Sequence, residues 1–203
     1  SNGTEKWAFL APEHHGKIKR LYDDEPLIKY EGVLVDPDDA TAEPKDYFFD
    51  GPTGYHVEYD DANDLASGDV GDLEYAYIYP TMRRGGRMIY GFDVTDPNDP
   101  QLMWRQGCDE SDTCSTGYGA IGQTWSTPQG VFVPGYPESG DPMPVLIFGG
   151  GYDECLDEDQ AAYPSQCSSA NGKGIYVADA QTGVVIEQFA TDAPVLTDIS
   201  VVD

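Results

Sequence analysis

The sequence predicts an all-β chain of repeated four-stranded antiparallel sheets, and three observations carry that reading. The first is an internal match. "GRMIYGFDVTDP" (86–97) aligns with "GKGIYVADAQTG" (172–183), pairing Gly86 with Gly172, Arg87 with Lys173, Ile89 with Ile175, Tyr90 with Tyr176 and Asp93 with Asp179. The second is that an apolar strand precedes each copy, "EYAYIYP" (74–80) and "PVLIFGGG" (144–151). The third is that these strands are apolar on both faces. Tyr75, Tyr77 and Tyr79 oppose Ala76 and Ile78, and Met88, Tyr90, Phe92 and Val94 oppose Ile89 and Gly91. Each sheet therefore needs cover on two sides.

Residues 1–45 form a lead-in segment with strand and one short helix. Pro12 suits the first helical turn, and Leu10, Ile18, Leu21 and Tyr22 mark a face, although Gly16 weakens it. The first unit spans 46–106, with strands predicted at 47–58, 74–80, 87–95 and 101–105. The second spans 122–190, with strands at 123–133, 144–149, 173–179 and 184–189, and residues 194–203 begin a further unit. Matching Ile78 to Ile147 gives a spacing of 69 residues, against 86 from Tyr90 to Tyr176. The surplus falls in an insertion at 152–172, "YDECLDEDQAAYPSQCSSANG".

Antiparallel four-stranded units that repeat and need a neighbour on each face describe the blades of a β-propeller. The fold expected for 1–203 is thus a partial propeller, one piece with one short N-terminal helix. Two blades do not close a ring that takes roughly four to eight. Exposed blade faces and strand edges are expected to drive self-association.

Thirty-seven acidic residues against eleven basic ones set the net charge at -26. Such a surface repels phosphate backbones, which excludes nucleic acid as a partner. Fourteen tyrosines outnumber seven phenylalanines, so many buried rings must find partners for their hydroxyls. No apolar run approaches the ~20 residues of a membrane span. No secretory leader opens the chain, so it reads as an internal piece of a longer precursor, with Ser1 and Asn2 a cloning remnant.

The cysteines fall as Cys108 and Cys114, then Cys155 and Cys167, each pair within one acidic stretch. Of three possible pairings, proximity favours Cys108 with Cys114 and Cys155 with Cys167, each closed loop worth ~2 to 3 kcal/mol in the chain-entropy model. Zinc is the alternative, disfavoured because there is no CxxC and no nearby histidine. Disulfides imply an oxidising compartment.

"MRRGGR" (82–87) reads as a hairpin connection in which Gly85 and Gly86 can take positive φ, Arg83 and Arg84 sit at an exposed tip, and Arg87 is a structural position of the repeat. "GYGAIG" (117–122) has the letters of a dinucleotide fingerprint, but a cysteine loop precedes it and Pro128 follows, so it reads as a loop. His14, His15 and His56 are expected in structural or solvent-facing roles. Asp153, Asp157 and Asp159 offer calcium hard oxygen ligands without matching a twelve-residue calcium loop, as do the carboxylates of 60–72, and solvated loops are the favoured reading.

Six stretches carry a family resemblance: "EKWAFLAPEHHGKIKRL" (5–21), "YFFDGPTGY" (47–55), "GGRMIYGFDVTDPNDPQLMWR" (85–105), "GQTWSTPQGVFV" (122–133), "VLIFGGGYDE" (145–154) and "GIYVADAQTGVVIEQF" (174–189). In this order they resemble the propeller domain of the type IV pilus assembly, tip-associated adhesin family, the PilY-type proteins. The resemblance implies a surface protein exported through the periplasm of a Gram-negative bacterium. It also implies a role in pilus biogenesis and adhesion rather than catalysis, with pilus components and host or surface receptors as partners. The family's DxDxDGxxD calcium loop is absent from this sequence, so no calcium ligand or other cofactor is carried over, and calcium belongs to the full-length protein. The same repeat is similar to the blades of pyrroloquinoline quinone dehydrogenases, which supplies an enzymatic alternative; an extracellular calcium-dependent binding module is the third.

Overall fold

The computed structural model describes residues 3–23, 28–29, 43–60, 71–140, 142–156 and 170–202. Its organising elements are two four-stranded antiparallel sheets. The first joins β3 (Thr53–Tyr59), β4 (Leu73–Pro80), β5 (Arg87–Asp93) and β6 (Gln101–Cys108), in that spatial order. The second joins β7 (Gln129–Phe132), β8 (Pro144–Gly149), β9 (Gly174–Asp179) and β10 (Val185–Ala190), again in chain order. Two residue pairs, β1 (Ile28–Lys29) and β2 (Glu43–Pro44), run parallel to each other. Among the described residues there is one α-helix, α1 (His15–Asp23), which continues a 3₁₀ turn at Pro12–His14.

All eight predicted strands of the two sheets form. The first of each begins later than the sequence suggests, because Gly51 and Pro52 precede β3 and Pro128 precedes β7. Proline offers no ladder N–H, and Gly51 packs so tightly that an added Cβ would lie 2.3 Å from the Thr81 hydroxyl.

The pairing registers correct the internal alignment by one residue. Ile78 pairs with Phe92, and Tyr77 with Asp93. In the second sheet Leu146 pairs with Ala178, and Val145 with Asp179. With Asp93 equivalent to Asp179, Ile78 therefore corresponds to Leu146 and not to Ile147. A one-residue slip turns a side chain to the other face of a sheet, so this decides what touches what. Composition alone misses it because Val145, Leu146 and Ile147 are interchangeable as apolar letters.

With the register set, the faces sort cleanly. Tyr77, Tyr79, Ile89 and Trp104 of the first sheet pack against Leu146, Phe148, Tyr176 and Ala178 of the second, forming the main core between the sheets. The opposite face of the first sheet, with Met88, Tyr90 and Phe92, lies under the N-terminal segment through Phe9 and Ala11. Trp104 stitches the sheets together: its indole N–H donates to the Ala180 carbonyl at 3.0 Å, and Gly91 makes room beneath it, where a Cβ would lie 2.3 Å from Cε2.

The repeated Asp is explained by its turn. The Asp93 carboxylate accepts from the Thr95 amide and hydroxyl, and Asp179 accepts from the Gln181 and Thr182 amides, so each closes the turn after its strand. Helix α1 departs from expectation. Its own residues are not buried, and Leu21 and Tyr22 are exposed; the buried side chain is His14 in the turn ahead of it.

Tyrosine hydroxyls find varied partners. Tyr118 donates to the Gly183 carbonyl at 2.7 Å, Tyr90 to Glu13 at 2.5 Å, and Tyr77 accepts from Gln181 at 3.1 Å. The hydroxyls of Tyr79 and Tyr176 are buried with no partner among the described residues. Burial drives Tyr79 and Tyr118 far above the usual phenol range. It pushes Tyr75 up to about 12 with help from Glu58, and Tyr136 to about 12 with help from its hydrogen bond to Asp179.

Two outcomes follow from this core. Because these phenols keep their protons above the ordinary 10.0, the unfolded chain loses protons first as pH rises. The stability they contribute is full below pH 10.0 and is lost as pH climbs through the native values. Phenolate absorbance at about pH 11.5 should thus report only part of the fourteen tyrosines in the folded chain and nearly all of them in urea; simultaneous ionisation of all fourteen in the folded chain would contradict the packing. Trp104→Phe should lower stability by roughly 1 to 3 kcal/mol, since it leaves the buried Ala180 carbonyl without its donor, and an unchanged urea midpoint would show that bond to be dispensable.

Candidate functional site

A cleft of about 420 Å³ opens where the β4–β5 connection, the loop after β6 and the base of the insertion meet. The β4–β5 connection is a 3₁₀ turn, Arg83–Gly85, with Arg83 at φ 49° and Gly86 at φ 155°. The left-handed residue is thus an arginine, not Gly85. Glycine is needed at 85 for a different reason: a Cβ would lie 1.5 Å from the Phe48 carbonyl oxygen.

Into this turn docks the chain that leads to β7. The Arg83 amide donates to the Thr124 carbonyl at 3.1 Å, and the Thr124 amide donates to the Gly86 carbonyl at 3.3 Å. The Thr124 hydroxyl accepts from the Met82 amide at 2.9 Å and donates to the Met88 carbonyl at 3.1 Å. The second sheet repeats the backbone half of this arrangement. There the Gly151 amide donates to Val195 at 2.9 Å, and the Val195 amide donates to Gly172 at 3.0 Å. Gly172 is the residue matched to Gly86, so the segment after each sheet docks in the same place on the sheet before it.

The arginine pair belongs to this seam. The Arg83 guanidinium lies over the Trp125 ring at 4.9 Å from its centroid, half-buried rather than at an exposed tip. Arg84 lies over Tyr47 at 5.1 Å and donates to its hydroxyl at 2.9 Å. The turn is as the sequence suggests and Arg84 is exposed as expected, but Arg83 is half-buried because it lies over Trp125, a ring distant in the chain. Arg87 reaches across the seam, donating from Nε to the Ile121 carbonyl at 2.8 Å and from a terminal nitrogen to Asp112 at 2.6 Å.

Asp112 sits on the loop closed by the Cys108–Cys114 disulfide, which forms as predicted. Within that loop Asp109 accepts from the Ser111 hydroxyl and amide and the Thr113 amide, and these bonds, the hydroxyl first, hold its carboxyl below the usual range. Cys155 is also disulfide-bonded. Its predicted partner Cys167 lies outside the described residues.

Asp153 has a structural duty: its two oxygens accept from the Cys155 and Asn171 amides, fastening together the two ends of the insertion. Asp157 and Asp159, and most of the carboxylates of 60–72, lie outside the described residues. Among the described residues no three His, Cys, Asp or Glu side chains gather as ligands for a metal. The cleft's remaining charges engage one another or nearby amides and carbonyls: Lys17 pairs with Glu110 at 3.1 Å, and Glu154 accepts from Gln123 at 2.5 Å. Chemically, the arrangement fastens loops from both sheets to one another.

The other singled-out residues lie apart. His56, on β3, stacks on Tyr75 at 5.9 Å and meets Phe132 edge-on at 5.2 Å, against Gly130 of β7. His15 is exposed. "GYGAIG" folds as turns with Tyr118 and Ile121 buried, and no helix follows it. What the sequence did not disclose was Thr124 and Val195. They are unlike residues, and only their backbone bonds are shared.

Fold and seam together define two consecutive antiparallel sheets of repeated form, each followed by a segment that docks on it through the same backbone contacts. No protein-family model matches the sequence, and no curated protein matches it. Among solved structures the chain is similar in fold to the Pseudomonas aeruginosa PilY1 C-terminal domain, with a TM-score of 0.51 over 96% of this chain and 15% identity. The chain spans 28% of the length of that structure. No described helix is long and apolar enough to cross a membrane.

Arg87→Lys tests the seam, because lysine cannot reproduce a planar donor set shared between Ile121 and Asp112. A loss of roughly 1 to 2 kcal/mol is expected in urea unfolding, with faster amide exchange across 108–122; unaltered exchange there would mean that the loop is held by its disulfide alone.

Proposed function

We propose that the two sheets are consecutive blades of a β-propeller belonging to an exported, type IV pilus-associated protein. In this reading the propeller is a non-enzymatic scaffold for pilus assembly and surface attachment. The observation that carries it is the repeated docking: Thr124 and Val195, 71 residues apart, occupy equivalent positions on successive sheets. Val195 thus stands where the chain leading into a third blade belongs. The first strands of the two sheets approach each other, Gly130 against His56 and Gly54 against the Pro128 carbonyl, as strands nearest a propeller axis do.

The pilus assignment is supported by the six ordered stretches of sequence resemblance and by the likeness in fold to the PilY1 C-terminal domain. The Cys108–Cys114 disulfide fits an exported protein. Pilus components and surface receptors are the partners in this reading.

In-frame deletion of these 203 codons in the bacterium that encodes them should abolish surface pili and attachment, and re-supplying the whole gene should restore both. Normal piliation and attachment in the deletion strain would overturn the pilus role while leaving the propeller untouched. The architecture has its own test. Chain 1–203 alone should associate through the outer face of the second sheet in size-exclusion chromatography with light scattering, and a monomer at all concentrations would count against that face awaiting a further blade.

A further inference from the structure

We propose that His14 is a pH-sensitive latch that holds the N-terminal segment on the first sheet and lets it go when the imidazole takes up a second proton. His14 is fully buried, and neither ring nitrogen has a hydrogen-bond partner among the described residues. Its ring packs against Phe48 at 5.1 Å and Phe49 at 5.5 Å between centroids. A neutral imidazole already leaves its polar atoms unsatisfied here; an imidazolium would bury a charge and two donors without acceptors, which is far costlier.

The surrounding charges do not rescue it. Among the described residues the charges that act on His14 are Glu13 and Lys17 on its own segment and Glu110 on the loop after β6. The Glu13 carboxylate is taken by the Tyr90 hydroxyl at 2.5 Å and by Arg105 at 2.9 Å, both on the sheet. Glu110 is paired with Lys17, which also donates to the Gly85 carbonyl at 3.3 Å. Burial first and Lys17 second lower the His14 pKa from its ordinary 6.5, with Glu13 and Glu110 opposing.

A lowered native pKa means that the released segment binds protons more readily than the docked one. Docking is therefore at full strength above the ordinary 6.5 and weakens as pH falls from there towards the native value. His14 anchors the segment that carries Trp7, Phe9 and Ala11 onto the sheet, with Trp7 5.9 Å and Phe9 4.8 Å from Phe92 between ring centroids.

What release uncovers gives the latch a consequence. Ile78, Tyr90 and Phe92 correspond in register to Leu146, Tyr176 and Ala178, the face by which the second sheet packs on the first. An acidic medium thus bares, on the first sheet, the face equivalent to the one that elsewhere receives a neighbouring sheet. This inference does not depend on the pilus assignment.

Hydrogen exchange of the whole chain, corrected for intrinsic rates, tests it at about pH 7.5 and about pH 5.5. Peptides within 3–23 and 86–94 should lose protection at the lower pH by up to about tenfold, the ceiling set because pH 5.5 lies about one unit below the ordinary 6.5. His14→Phe should abolish that loss. Replacing the other two histidines, in His15→Gln/His56→Gln, should leave it intact, and nuclear magnetic resonance of the one imidazole remaining there should show titration below 6.5. Protection that does not change with pH, or a dependence that disappears in the double variant, overturns the proposal. So does titration of that remaining ring at or above 6.5, which decides the matter even where His14→Phe does not fold.

Discussion

Everything in this molecule depends on sheets that are apolar on both faces. A four-stranded sheet with Tyr77 and Tyr79 on one side and Tyr90 and Phe92 on the other has no solvated face, so it is stable only between two neighbours. The second sheet supplies one neighbour. On the other side the N-terminal segment does the work of a sheet with an extended stretch, a 3₁₀ turn and a buried histidine.

The same constraint explains where the polar contacts gather. Between the faces, hydrogen bonds are few and are aimed at turn carbonyls, as with Trp104 to Ala180 and Tyr118 to Gly183. At the ends of the strands, where loops from both sheets converge, donors and acceptors are dense. Here Thr124 satisfies four backbone groups at once, and Arg87 ties the disulfide loop to the chain that leads into the second sheet. Near the cleft acidic side chains are balanced locally, Glu110 by Lys17 and Asp112 by Arg87.

The candidate site was legible in part. Arg87 stood out through its match with Lys173, and Cys108 with Cys114 through closeness in sequence. The docking of Thr124 and Val195 was not legible, because their shared role is carried by backbone N–H and C=O groups that every residue possesses. The two-ringed seat of Arg83 and Arg84 was equally hidden, since Tyr47 and Trp125 lie far from the arginines on either side of them in the chain. Asp153 was visible as a carboxylate in an acidic run, yet its bonds to the Cys155 and Asn171 amides depend on where the insertion leaves and rejoins the sheet.

By itself, the sequence determined the strands, their order and their two-sided character, because alternation of side chains is a local property with a period of two. It also determined the turn at each repeated Asp, where a carboxylate meets amides two or three residues on. Only the tertiary structure decided the register that sets Ile78 opposite Phe92 and Leu146 opposite Ala178, and with it which face meets which. Only it decided that His14 is sealed between Phe48 and Phe49 while its neighbour His15 faces water. Register and burial are set by the fit of surfaces far apart in the chain, and no local pattern of letters encodes that fit.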